Sequence, residues 1–173
     1  MRRIMASVTL MLAMSFELAF AEPVTFTAQL GSDAQGEQNA SSATGSATVV
    51  IDAAAHTLQV SIMFAGLQNP STAAHIHCLC TEPPGSRTTN AATVVPTFPG
   101  FPLGVASGAY SGTFDTLQAD TYSPRFLKAS GGTAATAEAA LFSGMLAGQT
   151  YLNVHTVGSE RFGEIRGFLQ RAK

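Results

Sequence analysis

Two short runs hold most of the chemistry available to this chain. Ala74-His75-Ile76-His77 lies near its middle. Asn153-Val154-His155 lies near its end, with Gly163-Glu164-Ile165-Arg166-Gly167 just beyond. Charged residues are only 12% of the sequence, and three of its four histidines sit in apolar, strand-like runs. A polar group buried without a partner costs about 1–3 kcal/mol, so something must solvate, pair or ligate those imidazoles. In an extended strand, residues two apart share a face. His75 and His77 therefore point one way, and Ala74, Ile76 and Cys78 the other. By the same rule Tyr151, Asn153 and His155 share a face opposite Leu152, Val154 and Thr156. Glu164, Arg166 and Phe168 share one opposite Ile165 and Leu169.

A His-x-His strand offers two nitrogens to a metal, and His155 could supply a third. An all-nitrogen set of this kind suits copper or zinc. The alternative is structural: the three imidazoles hydrogen-bond to backbone, to Asn153 or to Glu164 and hold the sheet together. Glu164 and Arg166 read as a charge-balanced surface pair on one strand, or else as groups that orient a ligating histidine from behind, as Asn153 could. His56 falls in a turn and reads as a solvated surface residue. Cys78-Leu79-Cys80 follows His77 directly, and three readings stay open: a local disulfide, soft-metal ligation beside His77, or free or inter-chain thiols. No Gly-x-Ser-x-Gly elbow, phosphate loop or His-Glu-x-x-His occurs. Asp115 and Asp120 read as turn residues. Asn39-Ala40-Ser41 matches a glycosylation acceptor, a weak pattern.

The elements that must position these residues are mostly strands. Val24–Leu30 alternates apolar and polar residues and predicts a first strand. Gly31–Gly45 is small, polar and loop-like. Ser46–Ile51 and Thr57–Phe64 predict a hairpin turned by Asp52–His56, with Leu58, Val60, Ile62 and Phe64 on one face. Ala73–Cys78 predicts a fourth strand, followed by a loop over Thr81–Asn90. Pro96-Thr97-Phe98-Pro99-Gly100-Phe101-Pro102 cannot be an interior strand, because three prolines remove ladder donors. It is expected to lie across the surface with its two Phe rings over an end of the core. Ala109–Phe114 predicts another strand. Ala134–Leu146 has helical spacing at Ala137, Ala140, Leu141 and Met145, with Gly148 where a helix would stop. Thr150–Thr156 and Glu164–Leu169 make a final strand pair. The sum is an all-β antiparallel sandwich or Greek-key barrel with one short late helix.

The ends and the charge bound the rest. Residues 1–21 read as a secretory leader: a basic start at Arg2-Arg3, an apolar run over Ile4–Phe20, and small residues at Ala19 and Ala21. Residues 22–173 are then expected to form a single exported domain, periplasmic or secreted, with no lasting membrane anchor. Removing Arg2, Arg3 and Glu17 takes the basic count from 9 to 7 and the acidic count from 11 to 10, a net charge of −3. There is no basic stripe, so nucleic acid is not an expected partner.

Several segments, taken in order, resemble one family. They are Phe26-Thr27-Ala28-Gln29-Leu30, Gly45-Ser46-Ala47-Thr48, Leu58-Gln59-Val60, Ala65-Gly66-Leu67, Ala74-His75-Ile76-His77, Tyr151–Thr156 and Gly163–Gly167. Together they are similar to the CHRD domain, named from chordin and frequent in exported microbial proteins. A bacterial subgroup of that family often has two adjacent cysteines after the His-x-His, whereas Leu79 separates them here. The resemblance implies a β-sandwich-like domain outside the cytoplasm and no defined activity. The His-x-His strand is also similar to the copper-binding strand of copper-zinc superoxide dismutase. These readings favour an exported, non-catalytic domain that binds an extracytoplasmic partner or contributes to envelope or matrix. The alternative is an exported copper- or zinc-binding protein using His75, His77 and His155.

Overall fold

The structure is a computed structural model that describes residues 22–32, 41–159 and 162–173. The expected leader over residues 1–21 lies outside the described residues, as do Asn39 and Ala40 of the glycosylation pattern. Two antiparallel sheets face each other. The larger is built from β1 (Val24–Leu30), β2 (Thr44–Asp52), β3 (Thr57–Ala65), β5 (Gly108–Asp115) and the short β8 (Gln170–Arg171), in the order β5-β3-β2-β1-β8. The smaller holds β4 (Ser71–Cys78), β6 (Thr150–Thr156) and β7 (Ile165–Phe168), in the order β4-β6-β7. This is the all-β sandwich expected from the alternating patterns.

In the large sheet the alternation does what its period dictates. Leu58, Val60, Ile62 and Phe64 of β3 are buried, while Gln59, Ser61 and Met63 face out. Ile51 pairs with Leu58 and Val49 with Val60 across the hairpin. Its turn is held by Asp52, whose Oδ1 accepts from the N–H groups of Ala54 and Ala55, both at 2.9 Å. His56 closes the turn at φ 53°. It is not simply solvated as expected: its Nδ1 lies 3.0 Å from Glu138 of the late helix, a partner distant in sequence.

The small sheet breaks the expected pattern. Seven of the eight residues of β4 and all seven of β6 are buried. One face packs on the large sheet through Ala74, Ile76, Cys78, Leu152 and Val154. The other face, which carries the histidines, lies beneath irregular chain. The segment from Thr89 to Phe98 runs along the open edge of β4. Ala92 and Thr93 donate N–H to the Ile76 carbonyl at 2.9 and 3.2 Å. The hydroxyls of Thr93 and Thr97 accept from Ile76 and Ala74 N–H, each at 3.0 Å. Side chains thus satisfy an edge that the proline-rich run cannot pair by a regular ladder. Phe98 and Phe101 turn inward as expected, against Phe64, Tyr110 and Phe114.

The sheets are joined at one side. Gly31 N–H and C=O pair with Arg166 of β7, each at 3.0 Å, and β8 pairs with β1 at Phe26 and Thr27. Gly167 sits at this seam. A Cβ there would lie 2.1 Å from the Gln29 carbonyl oxygen, a backbone atom with little room to yield. Gly167→Ala is expected to lower stability by about 2–3 kcal/mol, read as a lower urea midpoint. A shift under about 0.5 kcal/mol, the scale of ordinary surface changes, would contradict the close approach.

The late helix, α2, spans Ala134–Leu146 as its spacing predicts. Thr133 caps it with Thr136 in a reciprocal box, and Gly148 follows its end at φ 69°. A second helix, α1 (Pro124–Ala129), corrects the expectation of one. Ser123 caps it, accepting from Phe126 N–H, with proline at the first position. That start signal is present in the sequence, but six residues are too few to show periodicity. Gly144 of α2 packs against the disulfide that joins Cys78 and Cys80, where a Cβ would collide with Cys78 Sγ. No helix among the described residues is long and apolar enough to cross a membrane.

Candidate metal centre

The register of the small sheet assembles the histidines. His75 lies opposite Asn153, His155 opposite Ala73, and His77 opposite Tyr151. Because β4 and β6 are antiparallel neighbours, His155 arrives on the face that His75 and His77 share. The ring centroids are 5.9 Å apart for His75–His77, 5.2 Å for His75–His155 and 6.3 Å for His77–His155. Each ring offers a nitrogen, and the three lie within 4.8 Å of one another. Two nitrogens on one metal, with bonds of about 2.0–2.1 Å, stand at most roughly 4.2 Å apart. Around a tetrahedral ion such nitrogens stand roughly 3.3 Å apart, so closing the set needs the widest pair to draw together by up to about 1.5 Å.

The tautomers follow from the covering chain. His75 Nε2–H donates to the Pro96 carbonyl at 2.8 Å, His77 Nδ1–H to the Thr89 carbonyl at 2.9 Å, and His155 Nδ1–H to the Ser159 carbonyl at 3.2 Å. A carbonyl oxygen can only accept, so each neutral ring keeps its lone pair on the other nitrogen. Those nitrogens are Nδ1 of His75, Nε2 of His77 and Nε2 of His155. Histidines that bind metal commonly donate their second N–H to a carbonyl in this way. His75 Nδ1 is buried with no hydrogen-bond partner among the described residues.

Burial sets the charge state. The three side chains are 5–8% exposed. Burial and the neighbouring His155 push His75 down to about 4, against the Pro96 hydrogen bond. Burial also takes His77 down to about 3, against its contacts with Thr89 and Asn153. Both rings are neutral at pH 7, the form that binds metal. The same shifts predict acid lability without metal. The unfolded imidazoles take up protons below about pH 6.5 while the folded ones resist. The stability these two residues contribute is therefore whole above that pH and is lost as pH falls toward about 4 and about 3. At pH 5 the combined loss is on the order of 3–4 kcal/mol, readable by urea unfolding. Unchanged stability between pH 7 and 5 would contradict neutral burial.

The groups around the rings divide into two sets. Asn153 reaches the cluster, its Oδ1 lying 3.1 Å from His77 Nε2 and its Nδ2 donating to the Phe162 carbonyl at 3.4 Å. Tyr151 stacks on His77 with centroids 4.6 Å apart and planes 4° from parallel, and Arg166 lies over the Tyr151 ring at 5.8 Å. Glu164 and Arg166 are not the surface pair that their charges suggested: they are 4% and 3% exposed. Chain from the other sheet's approach covers them, through Ser41 at Glu164 and Gly31 at Arg166. Glu164 accepts from the Ser41 hydroxyl at 2.6 Å, Gln68 N–H at 2.7 Å and the Thr156 hydroxyl at 2.8 Å. Thr156 in turn holds Ser159, whose carbonyl faces His155. Cys78 and Cys80, bonded to each other, lie toward the core and α2 rather than with the rings. The Pro96, Thr89 and Ser159 carbonyls escaped sequence reasoning because a backbone acceptor leaves no mark in residue type. Tyr151 could have been found, two positions from Asn153 on the same face.

The chain matches the family model of the CHRD domain over residues 26–169. No curated protein and no solved structure matches it. The matched span runs from Phe26 in β1 through Leu169 and takes in β2 through β7 and every histidine of the cluster, so the chain belongs to the CHRD domain family.

Proposed function

We propose that this CHRD domain is an exported, non-catalytic protein that holds one copper or zinc ion through His75, His77 and His155. One observation carries the reading. His75 Nδ1 is a buried acceptor without a hydrogen-bond partner, on a ring 5.9 and 5.2 Å from those of His77 and His155, with its other nitrogen already engaged by Pro96. Leaving such an atom unpaired costs about 1–3 kcal/mol, and a cluster of three imidazoles with a nitrogen from each within 4.8 Å of the others suits a metal cation. The neutral rings and their outward N–H bonds support the same reading. The Cys78–Cys80 disulfide supports export. A purely structural reading also has support, because each ring ties covering chain to the sheet through a carbonyl. That reading gives His75 Nδ1 nothing to do.

Thermal unfolding during titration with zinc or copper separates the two. Metal at 100 times Kd adds about 2.7 kcal/mol, which raises Tm by roughly 5–10 °C for a chain of this size. The rise should continue with the logarithm of free metal beyond one equivalent and be absent with calcium or magnesium, which prefer oxygen donors. No rise with zinc or copper would leave the imidazoles as struts alone.

A further inference from the structure

His77 faces two oxygens with one proton to give. Its Nδ1 lies 2.9 Å from the Thr89 carbonyl and its Nε2 lies 3.1 Å from Asn153 Oδ1. Neither oxygen can donate. The Asn153 amide is oriented by its other end, since Nδ2 donates to the Phe162 carbonyl. Turning the amide over would set two carbonyl oxygens against each other there. With Nδ1–H given to Thr89, Nε2 faces a second acceptor across 3.1 Å, and a positive charge held between Nε2 and Oδ1, a proton or a metal ion, resolves the conflict. Asn153 is also central to the cluster. It lies opposite His75 in the β4–β6 register and two residues before His155 on the same face. The 3.1 Å separation is close to the edge of a tetrahedron with bonds of about 2.05 Å, roughly 3.3 Å.

We infer that the carboxamide oxygen of Asn153 is the fourth ligand, so that the site is a closed set of three nitrogens and one oxygen for a divalent first-row ion. This rests on the three-histidine reading and adds to it. An oxygen donor without sulfur favours Zn(II) or Cu(II) over Cu(I). A site with four protein ligands has no open position for water or substrate, the arrangement of structural rather than hydrolytic metal centres. The metal would then bridge β4 and β6 behind the covering chain, and its release would require that cover to move.

The test uses Co(II) as a spectroscopic stand-in and Zn(II) for affinity, in the wild-type chain, Asn153→Leu, Asn153→Asp and His77→Ala. Wild type should give the intense visible bands of four-coordinate Co(II). Asn153→Leu should weaken Zn(II) binding by at least 10-fold and change those bands. Asn153→Asp, with an anionic oxygen in the same place, should keep four-coordinate bands and bind Zn(II) at least 10-fold more tightly. If Asn153→Leu does not fold, the Asp variant decides alone, and unchanged affinity there overturns the inference. Unchanged affinity and bands in Asn153→Leu, with metal lost in His77→Ala, overturn the fourth ligand and leave the three-histidine site standing. A wild-type chain that binds neither metal overturns both.

Discussion

Replacing His77 with alanine is expected to abolish the proposed stoichiometric copper or zinc binding while the domain stays folded. The expectation follows from how the site is built. His77 is one of three nitrogens within 4.8 Å of one another, and its Nδ1–H bond to Thr89 aims Nε2 inward. Loss of an outer group that merely orients a ligand costs roughly 10–100-fold in metal affinity, so loss of the ligand itself should exceed 100-fold. The same holds for His75→Ala and His155→Ala. His56→Ala should leave affinity unchanged, since His56 lies at the β2–β3 turn against Glu138. Competition against a chelator of known affinity gives the numbers, with circular dichroism as the check on folding. Equal affinity in wild type and His77→Ala would place any bound metal elsewhere.

The second large effect is on stability and needs no metal. Glu164→Ala is expected to destabilise the domain by about 3 kcal/mol. Burial pushes the Glu164 carboxyl up, but hydrogen bonds from Ser41, Gln68, Thr156 and Asn69 outweigh it and hold the group below its ordinary range. Without the carboxylate the Ser41 and Thr156 hydroxyls can rotate to other acceptors. The Gln68 N–H is fixed by the backbone and cannot. For a chain of this length the change lowers Tm by roughly 6–12 °C. Glu164→Gln keeps the shape and one acceptor and should cost about half as much. The carboxylate's contribution is present above its unfolded value near 4.5 and is lost as pH falls through its lower folded value. Glu164→Gln should therefore flatten the acid limb below pH 4.5 and leave the histidine-driven loss between pH 6.5 and 4 in place. Wild-type stability in Glu164→Ala would show that the four donors find other partners without cost.

The two effects meet at one turn. Glu164 holds Thr156, Thr156 holds Ser159, and the Ser159 carbonyl orients His155. Part of the stability of the sandwich is thereby spent on aiming a ring, which is a reason for placing a carboxylate where an apolar residue would pack.

How much of this was legible in the sequence depends on which force wrote each element. The β2–β3 hairpin was legible because one of its faces meets water and the other the core, so Leu58 to Phe64 alternate without interruption. α2 was legible from Ala137, Leu141 and Met145 together with Gly148. The shared face of His75 and His77 followed from strand period, and β6 supplied His155 to that face. Burial of that face was not legible. Histidine, asparagine, glutamate and arginine mark a solvent face under the ordinary rule, and the chain that covers them, Thr89–Phe98, has no period to read. Glu164 and Arg166 misled for the same reason: the Ser41 hydroxyl that bonds Glu164 and the Tyr151 ring beside the Arg166 guanidinium come from other segments, and charge in a strand usually means water. α1 was missed because a six-residue helix rests on its cap and first proline alone.

The central claim is that three imidazoles and their neighbours form a metal centre, and metal content tests it most directly. The protein would be isolated from its natural host without a metal-affinity tag or chelator, and its metals counted against protein. One copper or zinc per chain is expected, released in acid as the domain loses stability. Protein that carries neither metal, and takes up neither when both are supplied in excess at neutral pH, would contradict it.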